Sequence, residues 1–281
     1  MRIQKLQVSL FGVLLLAALT ITAAAQTSAL LKRTTMKTES VDFGAGGTVT
    51  VTGAPLGSIT ITGGQSNKVE ISAEIEVQAG TEADLALLAS VSGYGVETNM
   101  GHTTITSVPP TKQALKGKKF NKALLAMPFK IDYVIKVPRF TDLEITGGEG
   151  DLSISGVDGS MQLKFVKTNA RLDLVGGVIS ATFGDGTVDV TIPDRSWRGR
   201  AADIQLANGT MNVQLPLNLN AEVDAKILRT GKIDSAYGAF KPRERDIPFG
   251  EKIIMAKAGS GGIALKFTVG DGMLNFTETK K

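Results

Sequence analysis

The sequence predicts an all-β fold in which short strands, punctuated by glycine, stack as a β-solenoid, or β-helix. Three observations carry this prediction: apolar and polar residues alternate along most of the chain, 32 of its 281 residues are glycine, and aromatic residues make up only 5%. Alternation with a period of two is the pattern of a strand that buries one face. Frequent glycine indicates tight turns between short strands.

The N-terminus has the three regions of a secretory signal peptide, which we assign to residues 1–25. Arg2 and Lys5 give a positive start, an apolar stretch covers residues 8–21, and Ala23–Ala25 supplies small residues for cleavage. An uncleaved anchor would need about 20 strongly apolar residues followed by a charged stop. We therefore expect export to the periplasm, the cell surface or the medium, with no transmembrane helix after cleavage.

Composition excludes several functions for the mature chain. Loss of Arg2 and Lys5 lowers the net charge from +4 to +2, which gives no case for nucleic-acid binding. The chain has no cysteine, so disulfides, thiol catalysis and a lipid-modified cysteine are all excluded.

A first β-region is predicted over residues 26–140. Alternating residues predict strands over 58–63 and 68–77, among others. Thr81 precedes the one convincing helical pattern, near residues 82–90, and its hydroxyl is suited to cap that helix.

Residues 111–127 form a basic insert within this region. Its apolar end could dock a solvated loop, or its charge could contact a membrane surface or an anionic glycan. Both interpretations stay open. The insert carries five lysines, Lys112, Lys116, Lys118, Lys119 and Lys122.

A repetitive region is predicted over residues 141–281, continuous with the first. Strands of four to six residues follow turn positions, and every second position gives a repeat of 16–20 residues. Two short strands and two turns need about this length, although an antiparallel meander would show a similar spacing. The glycine density favours the solenoid, with Asp189, Asn212 and Asn275 facing outward. The inward residues expected from the same alternation are Val188, Val190, Met211, Val213, Leu274 and Phe276. The turn positions are Gly150, Gly159, Ala170, Gly177, Gly186, Gly209 and Gly272.

The order of four segments resembles a bacterial adhesin-like domain family of unknown function. These are the strand 133–138, which ends in Val-Pro, and then residues 143–150, 215–233 and 261–276. The resemblance covers about residues 45–278, and the basic insert departs from it. It implies a glycine-rich β-solenoid at the cell envelope and no catalytic residue.

Catalytic residues, cofactors and metals are not expected. The single histidine, His102, lies in a threonine-rich strand without an evident acid to orient it, and zinc sites need several His or Cys ligands. Acids near turns leave open a glycan-active β-helix enzyme of the lyase or hydrolase type, but Asp-Gly is also a favoured turn dipeptide. An exposed groove with two acids and an Arg or Lys would favour that enzyme. The acids are Asp151, Asp158, Asp173, Asp185, Asp189 and Asp271.

The candidate ligand-binding segment contains the only tryptophan. Trp197 lies among Arg195, Arg198 and Arg200, and stacking beside cations suits a sugar or an anionic surface. Alternatively, Trp197 seals one end of the core. The lysines that could assist binding are Lys116, Lys118 and Lys119.

The sequence thus favours an exported envelope protein with a structural or binding role rather than an enzyme. Its expected partner is an envelope glycan, an anionic lipid surface or another envelope protein. A periplasmic assembly or sensing accessory is a further alternative.

The signal peptide makes the first testable prediction. N-terminal sequencing of the exported protein should begin near Gln26, because cleavage follows Ala25. Recovery of a cytosolic protein that still begins at Met1 would contradict export.

Overall fold

The computed structural model describes residues 30–44, 46–117, 120–193, 197–244 and 249–279, and it confirms an all-β fold. Seventeen strands join in one hydrogen-bonded sheet. The predicted signal peptide lies outside the described residues. Within them, no helix is both long and apolar enough to span a membrane.

The predicted helix is confirmed as α1, Glu82–Val91. The Thr81 hydroxyl caps it by accepting a hydrogen bond from the backbone amide of Asp84, at 3.2 Å. Leu85 and Leu88 bury one side of the helix against the core. Residues 122–126 of the basic insert form a short 3-10 helix.

The N-terminal region contributes seven strands, namely β1 (Leu31–Asp42), β2 (Thr48–Thr52), β3 (Ile59–Gly64), β4 (Lys68–Ala79), β5 (Gly93–Asn99), β6 (His102–Val108) and β7 (Phe129–Pro138). β4 runs antiparallel to both β1 and β7, and β5 runs antiparallel to β6. β2 and β3 instead run parallel to β6 and β7.

The remaining ten strands are β8 (Asp142–Glu149), β9 (Leu152–Ser155), β10 (Met161–Asp173), β11 (Gly176–Thr191), β12 (Arg198–Leu215), β13 (Ala221–Ile227), β14 (Gly231–Ser235), β15 (Lys241–Pro242), β16 (Ile253–Ala258) and β17 (Ile263–Glu278). β10, β11, β12 and β17 pair in parallel in that order. β8 and β9 pair in parallel with β10 on one side and with β2 and β3 on the other. β13 and β14 extend the parallel pairing beyond β17.

The four central strands are longer than predicted. β10 to β12 and β17 have 13 to 18 residues instead of four to six. Each consists of two short halves, and its pairing with the neighbouring strand skips one residue between them and then resumes in the same register. The sequence pattern predicted two separate strands at each bend, because the alternation of apolar and polar residues is interrupted there.

The register shows how the repeat is built. Met161 pairs with Leu143, and Ile179 pairs with Met161, an offset of 18 residues each time, within the predicted range. The next offset is 23 residues, to Ala202, because the connection before β12 is longer. The last is 63 residues, to Leu265, because β13 to β16 come between β12 and β17 in the chain.

Inward side chains stack in columns with one residue from each strand, which forms a continuous apolar core. One such column contains Val51, Ile145, Leu163, Ala181, Ile204 and Phe267, all buried. The inward residues predicted for the second halves are confirmed as buried, namely Val188, Val190, Met211, Val213, Leu274 and Phe276. Asp189, Asn212 and Asn275 lie half-buried at the alternate positions.

A column of glycines forms the bend between the two halves. Gly186, Gly209 and Gly272 are in register, and each has a φ close to +135°. A Cβ at Gly209 would lie 1.9 Å from the carbonyl oxygen of Gly186, so the backbones touch with no room for a side chain. Glycine is therefore required both by the positive φ and by the contact between the backbones of neighbouring strands.

Two predicted turn positions have a different explanation. Ala170 lies inside β10, buried and in register with Val188, and the bend of this strand falls at Thr168 instead. Gly159 does not have a positive φ, but a Cβ there would lie 2.1 Å from the carbonyl oxygen of Thr141. Spacing alone did not separate these positions from the bend.

Polar side chains stack outside the glycine column. Asn208 donates to Asp185 at 2.7 Å, and Nε of Arg229 donates to Asp271 at 2.7 Å. The hydrogen bond from Arg229, with another from the backbone of Thr230, holds the pKa of the Asp271 carboxyl below its usual range.

We expect Gly209→Ala to lower the free energy of unfolding by at least about 2 kcal/mol, since alanine is strained at this φ and meets a backbone oxygen. Urea denaturation measures the change. The control is Gly95→Ala, because no atom lies within 4 Å of the added Cβ and a change within about 0.5 kcal/mol is expected. Equal losses in the two variants would contradict the role of the glycine column.

Candidate functional site

The predicted binding residues are only partly visible. Arg195, Lys118 and Lys119 lie outside the described residues. Lys116 is exposed in the connection between β6 and β7, and Arg198 and Arg200 are exposed at the start of β12. The candidate residues within the described ranges are Lys116, Trp197, Arg198 and Arg200.

Lys116 is not adjacent to the arginines. Its connection leaves β6, which pairs with β2, and β8, β10 and β11 lie between β2 and β12. The five strand spacings from β6 to β12 amount to about 24 Å along the sheet. Leu115 and Leu124 of the insert are buried, which favours a docked loop that keeps Lys116 in solvent.

A β-bulge presents Arg200. Gly177 pairs with Gly199, but the next residue, Val178, pairs with Ala201, so Arg200 is the extra residue of β12. A bulge redirects the local side chains and often occurs beside functional sites. This irregularity could not be read from the sequence, because it depends on the partner strand.

Arg198 shares a carboxylate with an arginine that the sequence did not single out. Asp158, between β9 and β10, lies 3.8 Å from Arg198 and 3.7 Å from Arg139, measured from its Oδ2 to a guanidinium nitrogen of each. The Asp158 side chain is 8% exposed, whereas the side chains of Arg139 and Arg198 are 40% and 64% exposed, with Nε of Arg139 buried. A Cβ at Gly176 would lie 1.9 Å from its Oδ1, so this glycine makes space for the carboxylate.

These ion pairs leave the guanidinium donors available. Both distances exceed hydrogen-bonding range, and Oδ2 of Asp158 accepts no hydrogen bond from the described residues. One carboxylate between two guanidiniums also leaves a net charge of about +1, to which Arg200 adds another. The cluster is thus a cationic surface with unused N–H groups.

An aromatic ring extends this surface. Phe140 is 51% exposed, and the Arg139 guanidinium lies 5.7 Å from the centroid of its ring. Together with residues 64–67 and Pro138, they line a cleft of 310 Å³. The Arg-Phe pair after the Val-Pro end of β7 was the signal that could have identified it. We call Arg139, Phe140, Asp158, Arg198 and Arg200 the arginine edge.

Trp197 faces away from this edge. Its indole lies over Gly199, where an added Cβ would be 2.1 Å from the ring, and it packs against the core. Arg198 and Arg200 flank the buried Gly199 on the exposed side. The indole borders a separate cleft of 290 Å³ with Pro216 and other residues. The indole thus lies on the inward side of Gly199, whereas Arg198 and Arg200 are exposed, and a joint binding role of the tryptophan and the arginines stays a prediction.

His102 does not form a catalytic triad with its neighbours. Its Nε2 lies 3.0 Å from the Thr50 hydroxyl, and that hydroxyl donates to Glu144 at 3.1 Å. Among the described residues, no carboxylate is hydrogen-bonded to the imidazole, whereas a triad needs an acid that orients its histidine. Elsewhere in the described ranges, no group of three His, Asp or Glu residues could hold a metal ion.

Comparisons with known proteins give structural likeness alone. No family model and no curated protein matches the chain. A provisionally named cell adhesion protein from Clostridium sporogenes is 17% identical, with a TM-score of 0.49 over 88% of this chain and 100% of that one. A provisionally named adhesin from Bacteroides fragilis is 13% identical, with a TM-score of 0.37 over 86% and 97%. A provisionally named lipid-binding protein from Parabacteroides distasonis is 12% identical, with a TM-score of 0.30 over 86% and 96%. These values do not assign the chain to a family.

The position of Trp197 predicts a role in stability. Trp197→Ala should lower the free energy of unfolding by about 2 kcal/mol, less than the about 3–5 kcal/mol of a fully buried tryptophan. Trp197→Phe should recover much of this loss, as measured by thermal unfolding. An unchanged melting temperature together with lost ligand retention would show instead that the indole serves binding.

Proposed function

We propose that this chain is an exported, non-enzymatic binding module of the cell envelope, and that it binds anionic groups at the arginine edge. The observation that carries the proposal is the pair of solvent-reaching guanidiniums of Arg139 and Arg198 around the enclosed Asp158 carboxylate. A structural ion pair alone would not need a second guanidinium, and it would use the donors that are left free here.

The scaffold in this proposal is a β-solenoid. Support comes from the parallel registers, which bring the chain back to the same position at each repeat. Support also comes from the inward columns, since a single repeat cannot bury its apolar side and stacked repeats can. The adhesin-like resemblance of the sequence leads to the same architecture.

The ligand chemistry follows from the guanidinium group. Arginine binds phosphate or carboxylate oxygens through two parallel N–H groups, and an exposed ring such as Phe140 can pack on a sugar face. Anionic glycans and anionic lipid headgroups both carry these groups, as does an acidic surface of another envelope protein. Export rests on the expected signal peptide and is part of the proposal.

A glycan-active enzyme is the second candidate function. Arg171, Asp173 and Asp189 line one exposed groove, and two acids beside an arginine are the combination that favours an enzyme. Release of reducing ends from a polysaccharide by the purified protein, lost in Asp173→Asn, would establish this alternative.

The arginine edge predicts a salt-sensitive loss of binding. Arg198→Ala with Arg200→Ala should leave the melting temperature unchanged and weaken retention on phosphatidylglycerol vesicles or polygalacturonate by about tenfold or more. Arg139→Ala should have a similar effect. Added salt should weaken wild-type retention, because the Debye length falls from about 8 Å at physiological ionic strength to about 3 Å at 1 M.

The matched control is Lys164→Ala, which removes one exposed charge from β10 away from the arginine edge. Comparison of the two anionic probes distinguishes a lipid headgroup from a glycan. Equal weakening in the control, or wild-type retention that is insensitive to salt, would overturn the proposal.

A further inference from the structure

A regular array of polar side chains covers the outer face of the second strand halves. Four adjacent parallel strands, β10, β11, β12 and β17, each contribute two residues to it. Together they line an open groove of 550 Å³. The first row is Arg171, Asp189, Asn212 and Asn275, and the second row is Asp173, Thr191, Gln214 and Thr277.

Three members of the first row are fixed by a hydrogen-bonded ladder. Asn212 donates from Nδ2 to Asp189 at 2.8 Å, and Asn275 donates from Nδ2 to Asn212 at 2.9 Å. All three side chains are half-buried. The ladder holds the amides in one orientation and leaves each of them with further hydrogen-bonding capacity.

The other five members have their polar groups free. Within the described ranges, these side chains form no hydrogen bond or ion pair with the protein. Arg171 supplies several N–H donors, Gln214 supplies both a donor and an acceptor, and Asp173 supplies acceptors. The remaining two are the hydroxyls of Thr191 and Thr277.

The composition of the groove selects its ligand. One arginine and two carboxylates give a formal charge of −1, which disfavours an anionic ligand. The lining contains no apolar or aromatic side chain, which disfavours an amphipathic helix or an acyl chain. A ligand rich in uncharged hydroxyl groups matches the mixed donors and acceptors.

The dimensions suit an extended chain. Four strands span three spacings, or about 14 Å, and the two rows lie about 6.7 Å apart. We propose that the groove binds an uncharged linear glycan, which lies across the strands between the two rows. This inference goes beyond the anion-binding role and does not depend on the arginine edge.

Affinity electrophoresis tests the inference with neutral soluble polymers, namely glucomannan, hydroxyethylcellulose and dextran, and with polygalacturonate as the anionic comparison. At least one neutral polymer should retard the wild-type protein. Arg171→Ala and Gln214→Ala should each weaken that binding by about three- to tenfold, as expected for the loss of one or two hydrogen bonds.

The matched control is Gln205→Ala, since Gln205 is also exposed on β12 but lies in its first half. The inference is overturned if no neutral polymer retards the wild type, or if Gln205→Ala weakens binding as much as Gln214→Ala. Cleavage of a bound polymer would support the groove as the glycan site. It would also contradict the proposed non-enzymatic function and favour the glycan-active enzyme.

Arg198→Ala with Arg200→Ala distinguishes the two proposed sites. This variant should keep its retardation by the neutral polymer while it loses retention on the anionic probes. Loss of both in this variant would contradict a separate glycan groove, whereas failure of anion binding alone would leave the groove intact.

Discussion

Direct contact between backbones at the glycine bend is the constraint on which the structure depends. Gly186, Gly209 and Gly272 place the chain of one repeat against the carbonyl oxygen of the previous one. Any side chain there would hold the strands apart and break their parallel hydrogen bonds. Because the bend fixes the register on both sides, it aligns the inward columns of the core and the outward rows at the same time.

The two proposed sites both depend on this register. The arginine edge occurs where the repeat is irregular, and the polar groove occurs where it is regular, so the two sites differ in chemistry. At the arginine edge, the bulge at Arg200 and the long connection before β12 disturb the pattern. Near this irregularity, the guanidiniums of Arg139 and Arg198 lie 3.7 and 3.8 Å from Asp158, beyond hydrogen-bonding distance. In the groove, the regular register places equivalent residues of neighbouring strands side by side, and Asp189, Asn212 and Asn275 form a hydrogen-bonded ladder there.

Both proposed binding sites therefore lie on outer surfaces, while the inward side chains form the apolar core. Trp197 illustrates this division, because it precedes β12 and packs against the core over Gly199, whereas Arg198 and Arg200 are exposed. The free hydrogen-bonding groups lie outside: guanidiniums at the edge, and Arg171 and Gln214 in the groove. Removal of such exposed groups costs little stability, which lets binding and folding be measured separately.

The sequence by itself determined the all-β class, the inward residues of the strand halves and the helix after Thr81, since alternation and capping are local patterns. It also identified Arg198 and Arg200 as candidate ligand-binding residues. Only the tertiary structure decided strand length, bend positions such as Thr168, and the pairing of Arg139 with Arg198 across Asp158. Residues 59 positions apart meet only when register between strands is known, and register is a property of partners rather than of any one segment.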